Sequence, residues 1–227
     1  MRALYQIPFA LTNIQGGNGY GIVEYTPQAY VQSDLNAFFK NFSSFQVQKT
    51  PKLASISGGY VQTTQTGFGF NGESNLDLEY GMTLVNPITT TLYQVGDATY
   101  SGSFNTFLDG LDAAYCTFDG GDDPTQDPPY PDTDDPNGYK GPNTCGGIAA
   151  TKVISTSYGY NEADLTPRYE RRQCNEYAKL SLLGTSFLYS SGDYGVAGNG
   201  GQCIDPVSGQ YNNGSSGIFN PSVRTIS

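Results

Sequence analysis

The sequence predicts an α/β protein whose sheet is largely parallel and flanked by helices. Short apolar stretches alternate along the chain with amphipathic stretches, in which apolar residues recur every three or four positions. No internal repeat interrupts this alternation. The chain has 227 residues, which is enough for one domain or for most of a larger one. We therefore expect a single α/β domain or a large part of one.

The first half of the chain contains three predicted strands, each followed by a predicted helix. Ser33 is the expected N-cap of the first helix, and Pro87 ends the second. A loop rich in glycine and threonine, residues 57–71, precedes that second helix. The predicted ranges are 20–25, 53–56 and 90–95 for the strands, and 33–42, 74–85 and 104–115 for the helices.

In the second half, one helix is predicted between two strands. Pro167 occupies a favoured first helical position, and Gly184 is the expected C-cap. The last strand runs directly into a Ser-Gly-Asp-Tyr-Gly turn at residues 191–195. The predicted ranges are 152–158 for the first strand, 167–183 for the helix and 185–190 for the last strand.

The segment between the two halves, residues 119–136, is dominated by aspartate, proline and glycine and is predicted to be a loop. Clustered carboxylates suit a hard cation, so a calcium-binding turn is one interpretation. However, the segment lacks EF-hand spacing, and prolines interrupt it. A solvated surface loop is therefore the favoured interpretation.

Composition excludes several classes of function. The chain has no histidine, which removes Ser-His-Asp and Cys-His catalysis and HExxH zinc sites. Its 21 acidic and 11 basic residues give a net charge of -10, which argues against nucleic acid and anionic membranes as partners. No apolar run approaches the roughly 18 residues of a membrane span. If the chain is an enzyme, carboxylates must transfer the protons.

Four cysteines allow three disulfide pairings. The two sequential pairs, Cys116–Cys145 and Cys174–Cys203, are equally spaced, and we expect local pairing, with free thiols as the alternative. Zinc binding is disfavoured because the chain has neither histidine nor a CxxC motif. Glycosylation sequons at Asn41 and Asn213 are consistent with a secreted protein.

Two acidic residues, Glu73 and Asp77, stand four positions apart at the start of a predicted helix. Their side chains are expected on one helix face, where they can share a proton and act as a general base and its orienting group. The alternative is structural, because acidic residues also stabilise helix N-termini through the macrodipole.

Asp193 is a second candidate, because it follows a buried strand at the edge where open α/β sheets bind their ligands. A carboxyl group held protonated there could donate a hydrogen bond to a developing oxyanion. The alternative is an aspartate that caps its own turn.

Residues 72–78 and 190–196 have the sequences GESNLDL and SSGDYGV. They closely resemble the two landmark motifs of the sedolisins, the serine-carboxyl peptidases. The similarity continues through the segments 4–8, 93–96, 153–159 and 172–180, and it covers nearly all of residues 4 to 220. The loop at residues 130–132 and the pair 145–146 are similar to fungal members.

The resemblance implies a subtilisin-like, doubly wound fold and hydrolysis of peptide bonds at acidic pH. Glu73 then matches the general base, Asp77 the acid that orients it, and Asp193 the acid of the oxyanion hole. It further implies secretion, peptide or protein substrates, and calcium in the complete domain near its C-terminus. Endopeptidase and tripeptidyl-peptidase activity both remain open.

The chain departs from the family pattern at the nucleophile. Sedolisins carry it in a Gly-Thr-Ser motif well beyond the oxyanion aspartate, whereas the Gly-Thr-Ser of residues 184–186 precedes Asp193. Ser186 is therefore not assigned as the nucleophile. We expect residues 1–227 to be the N-terminal two-thirds of a peptidase domain, inactive alone because its serine is absent.

Residues 223–227 do not resemble the family, and we expect them to be translated from a retained intron. Another possibility is a nicked enzyme whose remaining third is a separate chain. The alternative function is a short non-catalytic protein that binds a peptide or a partner in the retained cleft.

Overall fold

The computed structural model describes residues 1–9, 19–117 and 123–212. Five strands form one sheet in which every neighbouring pair is parallel. They are β1 (Tyr20–Tyr25), β2 (Lys52–Ile56), β3 (Thr90–Val95), β4 (Val153–Thr156) and β5 (Ser186–Tyr189), in the order β2-β3-β1-β4-β5. Because helices connect most of the consecutive strands, the predicted α/β class with a mainly parallel sheet is confirmed.

Helices cover both faces of this sheet, α2 (Gln32–Phe42) and α3 (Phe68–Val85) on one face, and α4 (Phe104–Leu111), α5 (Ala113–Thr117) and α6 (Pro167–Leu182) on the other. A short helix, α1 (Arg2–Tyr5), has no buried residue. A separate antiparallel pair, β6 (Cys203–Ile204) and β7 (Tyr211–Asn212), follows β5 in the chain. Among the described helices, none is long and apolar enough to cross a membrane.

Alternate side chains of each strand enter two separate hydrophobic cores. Ile22 of β1 packs with α2 and α3, whereas the next residue, Val23, packs with α4 and α6. The first core contains Ile22, Leu35, Phe39, Leu78, Met82 and Leu92; the second includes Val23, Tyr93, Phe104, Phe107, Leu108, Ile154, Tyr177 and Leu180. This alternation places the side chain of Glu24 on the same face as Ile22, toward α3.

Helix α3 begins six residues before the predicted start, within the segment expected to be a loop. Gly67, which precedes the helix, has a φ of 114°, and its N–H donates to the Asn71 side chain at 3.0 Å. Gly67, Gly69 and Gly72 weaken the sequence signal for the start of this helix, because glycine has low helix propensity. Glu73 therefore lies in the second turn rather than at the helix end.

Two other helix predictions need correction. Ser33 is not the N-cap of α2, because the helix begins at Gln32 after the extended residue Val31, and the Ser33 hydroxyl instead donates to Asp34. The helix predicted at 104–115 is divided into α4 and α5, because Asp112 is extended and its carboxylate accepts the Ala114 N–H at 2.7 Å.

The remaining boundaries are as predicted or differ by one or two residues. Helix α6 starts at Pro167 as predicted and ends at Leu182, and Gly184 adopts the positive φ of 98° that glycine favours. Strand β4 is shorter than the predicted range, so Ser157 and Tyr158 follow the strand rather than belong to it.

The cysteine expectation is half correct. Cys116 and Cys145 form a disulfide bond, whereas Cys174 and Cys203 are free thiols. Equal spacing in sequence does not bring the second pair together, because Cys174 lies on α6 and Cys203 lies in the small antiparallel sheet.

In residues 123–136, the described part of the Asp/Pro-rich loop, the chain is not simply a solvated insertion, because it contains a buried and hydrogen-bonded aspartate. Asp132 is only 1% exposed, and its Oδ1 accepts the N–H groups of Asp134 and Asp135 at 2.8 and 3.0 Å. Residues 119–122 of the loop, the sequon at Asn213 and the divergent residues 223–227 lie outside the described residues. Asn41 is exposed in the last turn of α2, and its glycosylation remains a prediction.

We expect Gly59→Ala to lower the free energy of unfolding by about 3 kcal/mol. A Cβ atom added at Gly59 would lie 1.8 Å from the backbone oxygen of Gln94 in β3, so two backbone segments would have to separate. A urea titration followed by circular dichroism measures the change. The control is Gly69→Ala in α3, whose added Cβ has no atom within 4 Å and which should not destabilise the protein. Equal stability of the two variants would contradict the close approach.

Candidate active site

The carboxyl edge of the parallel sheet gathers the acidic residues that the sequence singled out. Helix α3 follows β2 and leads back to β3, so it runs antiparallel to the strands and its N-terminal half lies near their carboxyl ends. Glu73 lies in that half, and Asp77 follows one helical turn later near the middle of the helix. Asp193 follows β5, and therefore leaves the sheet at the same edge.

Glu73 and Asp77 form an interacting, half-buried pair. Burial raises the pKa of Glu73, and the negative charges of Asp77 and Asp193 raise it further. Burial also raises the pKa of Asp77, and one of its oxygens, Oδ2, is buried without a hydrogen-bond partner among the described residues. The structure thus brings together Glu73, Asp77 and Asp193.

Asp193 is the exposed member of this group. It lies in a bend after β5, and its carboxylate is close enough for its charge to raise the pKa of Glu73. Ser190, which precedes the bend, is tied to β4 because its N–H donates to the Thr156 oxygen at 3.1 Å. This bond fixes the start of the turn that carries Asp193.

Glu24 is an acidic residue of the site that sequence reasoning missed. It is fully buried at the carboxyl end of β1, and its Oε2 accepts a hydrogen bond from the Tyr158 hydroxyl at 2.7 Å. Burial raises its pKa well above the ordinary value, and the charges of Asp77 and Glu73 raise it further. A signal was present in the sequence, because Glu24 interrupts an otherwise apolar predicted strand.

Ser157 links the acidic pair to the end of β4. A hydrogen bond with its hydroxyl lowers the pKa of both Glu73 and Asp77, opposing part of the effect of burial. Ser157 lies in the segment 153–159 that resembles the family, but its sequence context predicts no role for it.

Ser186 is not part of this group. It is the first residue of β5 and pairs in register with Val153, the first residue of β4. The acidic residues lie at the other end of these strands, about three residues or 10 Å away along the strand direction. The structure therefore agrees with leaving Ser186 unassigned.

This arrangement can store and move protons without histidine. Glu24, Glu73 and Asp77 all have raised pKa values, and carboxyl groups that interact this closely titrate as a coupled set rather than one by one. A raised pKa makes a carboxylate a stronger base, while a neighbouring protonated carboxyl group can donate a hydrogen bond. Within the described ranges, no group of three histidine, cysteine or acidic side chains is arranged to hold a metal ion.

Comparison with known proteins finds that most of the chain is similar to part of several fungal proteins, among them tripeptidyl-peptidases. No protein-family model matches it. It is 46% identical over 212 residues to the tripeptidyl-peptidase SED1 of Arthroderma otae, covering 91% of this chain and 31% of that protein. It is 44% identical to aorsin of Aspergillus oryzae, covering 97% and 34%, and 42% identical to the tripeptidyl-peptidase sed1 of Aspergillus fumigatus, covering 82% and 29%.

Among solved structures, the chain is similar to a Pseudomonas sedolisin, a serine-carboxyl proteinase complexed with two molecules of pseudo-iodotyrostatin. The match has 18% sequence identity and a TM-score of 0.45, and covers 79% of this chain and 40% of that one. The chain spans about a third of the length of the curated relatives it matches.

The buried carboxyl of Glu24 predicts how stability depends on pH. Its pKa is raised in the folded state, so the folded protein binds more protons than the unfolded one above the ordinary pKa of 4.5. The free energy of unfolding should therefore fall as the pH rises from 4.5 through the raised pKa. In Glu24→Gln this fall should be shallower, by at most about 1.4 kcal/mol per pH unit.

Chemical denaturation at a series of pH values from 4 to 8 measures this dependence. Asp205→Asn is the control, because backbone hydrogen bonds from Ser208 and Val207 lower the pKa of Asp205 and it titrates below this window. Its pH dependence above 4.5 should match that of the unmodified protein. A Glu24→Gln protein with the same slope as the unmodified protein would show that Glu24 is not held protonated by folding.

Proposed function

We propose that the chain carries the acid–base residues of a serine-carboxyl peptidase that is active in acid. The premise is that the homologues of this chain are fungal tripeptidyl-peptidases of the sedolisin family. The observation that supports this most directly is the charge coupling of Glu73 with Asp77 and Asp193 at one edge of the sheet. The observation agrees with the roles that the family resemblance implies for these residues.

In the proposed mechanism, Glu73 is the general base. Its carboxylate takes the proton of a serine hydroxyl as the serine oxygen attacks the peptide carbonyl, and later gives that proton to the leaving amine. Asp77 lies one helical turn away and orients Glu73. Asp193, in its protonated form, donates a hydrogen bond to the oxyanion that forms on the carbonyl oxygen.

Glu24 and Tyr158 are proposed as positioning residues behind this pair. Burial and the charge of Glu24 raise the pKa of Tyr158, so its hydroxyl stays protonated and continues to donate to Glu24. The charges of Asp77 and Glu73, together with burial, raise the pKa of Glu24 and favour its protonated form. The two residues extend the proton-sharing network into the core.

The nucleophilic serine is proposed to come from a segment outside these 227 residues. This agrees with the position of Ser186 at the far end of β5, and with the share of each relative that the chain covers. The proposal makes the activity a property of the complete protein, in which this chain supplies the base and the oxyanion acid.

Calcium enters the proposal only through the family resemblance, which implies a site near the C-terminus of the complete domain. The described residues do not offer a suitable set of ligands, so no step of the mechanism uses a metal. The proposed substrate is a peptide or an unfolded protein, and the proposed location is extracellular. The Cys116–Cys145 disulfide supports an oxidising compartment.

The central test is Glu73→Gln in the complete protein. It should lower kcat by about a thousandfold or more on a peptide substrate at acidic pH, because the amide cannot accept the serine proton. The control is Glu79→Gln on the same helix, whose side chain interacts with Asp34 rather than with the site, and whose kcat should be unchanged. Comparing substrates with free and acetylated N-termini separates tripeptidyl-peptidase from endopeptidase activity. A complete protein that binds peptides without cleaving them would favour the binding function instead.

Ser157→Ala should move the acid limb of the pH–rate profile to higher pH. The Ser157 hydrogen bond lowers the pKa of Glu73, so its loss lets that pKa rise, and the base then becomes ionised only at higher pH. We expect kcat at the optimum to fall by about tenfold or less. Ser155→Ala is the matched control, because the Ser155 hydroxyl pairs with Tyr20. Complete loss of acyl-enzyme formation in Ser157→Ala would instead identify Ser157 as the nucleophile.

A further inference from the structure

A basic cavity of about 510 Å³ lies between helices α5 and α6, on the opposite face of the sheet from α3. Tyr115 of α5 forms one wall. The other walls come from residues of α6 that recur every three or four positions and therefore share one helix face. They are Arg168, Arg171, Arg172, Asn175, Glu176 and Lys179, after Pro167 at the start of the helix. Four of the 11 basic residues of the chain thus line one cavity, and only one of its described lining residues is acidic.

Two of the four cations are held in place by the protein. The Arg172 guanidinium lies 3.6 Å from the centroid of the Tyr115 ring and donates to the Tyr115 oxygen at 2.8 Å. Nζ of Lys179 lies 2.5 Å from Oδ2 of Asp112 and 3.3 Å from Oε2 of Glu176. Because these side chains are already ordered, a ligand that binds beside them does not pay the entropy of fixing them.

Arg168 and Arg171 are the two cations of this cavity that the protein itself leaves unpaired. Both residues are exposed, and within the described ranges neither makes a hydrogen bond or an ion pair. A guanidinium presents its N–H donors in a planar fork that matches the oxygens of an oxyanion. In a chain of net charge -10, two unpaired arginines beside two fixed cations create a local positive field that attracts an anion.

We propose that this cavity binds an oxyanion of the sulfate or phosphate type through the guanidinium groups of Arg168 and Arg171, while Arg172 and Lys179 add positive charge. The chemistry covers both the free ion and a small molecule that carries the group as an ester. The inference does not depend on the proposed peptidase function, because the cavity and the acidic pair of α3 lie on opposite faces of the sheet.

Glu176 makes the expected affinity depend on pH. It is only 2% exposed, and burial raises its pKa to about 7, while the charge of Lys179 lowers the pKa and that of Asp112 raises it. The other groups of the wall keep their charge between pH 5 and 8, because Arg172 stays ionised and burial raises the pKa of Tyr115. Glu176 is therefore neutral at pH 5 and negative at pH 8. Sulfate is divalent at both values, so it should bind about threefold more tightly at pH 5.

Isothermal titration calorimetry of the complete protein with sodium sulfate, at constant ionic strength, tests the proposal. We expect a Kd of about 1 mM or lower at pH 5. The double variant Arg168→Gln/Arg171→Gln should weaken binding by about tenfold or more, because it removes both unpaired guanidinium groups. The control, Lys40→Gln/Lys49→Gln, makes the same change in net charge at exposed residues outside the cavity and should keep the affinity. Equal weakening in the two double variants would overturn the proposal, since it would reflect only the net charge.

Two further measurements define the ligand and the role of Glu176. Inorganic phosphate and glucose 6-phosphate, both largely divalent at pH 8, distinguish the sources. Tighter binding of the ester would support an ester as the occupant, equal or weaker binding would support the free ion, and failure of sulfate and both phosphates to bind would overturn the site. Glu176→Gln should bind sulfate equally at pH 5 and 8. A pH dependence that persists in this variant would overturn the role assigned to Glu176.

Discussion

A parallel sheet requires every strand to end at the same edge, and this constraint determines where the chemistry of the protein lies. The residues that follow β1, β4 and β5 leave the sheet together, and the crossover helix α3 returns past them with Glu73 and Asp77 in its early turns. Residues far apart in sequence, from Glu24 to Asp193, thus become neighbours. The antiparallel direction of α3 also explains why an acidic pair near its start can meet the ends of the strands.

The acidic cluster is held without a cation. Burial is the largest cause of the raised pKa values of Glu24, Glu73 and Asp77; the charges of neighbouring acidic residues raise those of Glu24 and Glu73 further, and no lysine or arginine is among the causes. Hydroxyl groups lower these pKa values. The Tyr158 hydroxyl donates a hydrogen bond to Glu24, and the Ser157 hydroxyl forms hydrogen bonds with Glu73 and Asp77. A cationic partner would have fixed these carboxylates as anions and ended their use as proton carriers. The cluster is therefore suited to exchange protons, at the expense of stability when it ionises.

The sequence was sufficient for the parts of the fold in which local signals agree with the tertiary structure. Strands β1 and β3 have the predicted bounds, because both are continuous apolar or β-branched runs. The start of α3 was missed because glycines lie just before it and in its first two turns, and the Asn71 side chain bond that supports Gly67 is not visible in a propensity pattern. The pairing of Cys116 with Cys145, and the absence of a bond between Cys174 and Cys203, depend on how the chain folds in space and not on spacing.

The candidate site also contains residues that the sequence identifies and residues that only the structure reveals. Glu73, Asp77 and Asp193 lie in recognisable motifs. Glu24 is identified as part of the site only by its burial and by its hydrogen bond with Tyr158, a residue more than a hundred positions away. Tyr158, which follows β4, makes contacts on both faces of the sheet, because its hydroxyl donates to Glu24 and its ring packs edge to face against Tyr25 with centroids 5.0 Å apart. The raised pKa of Glu24 therefore depends on burial and on residues from other elements, none of which a local sequence pattern records.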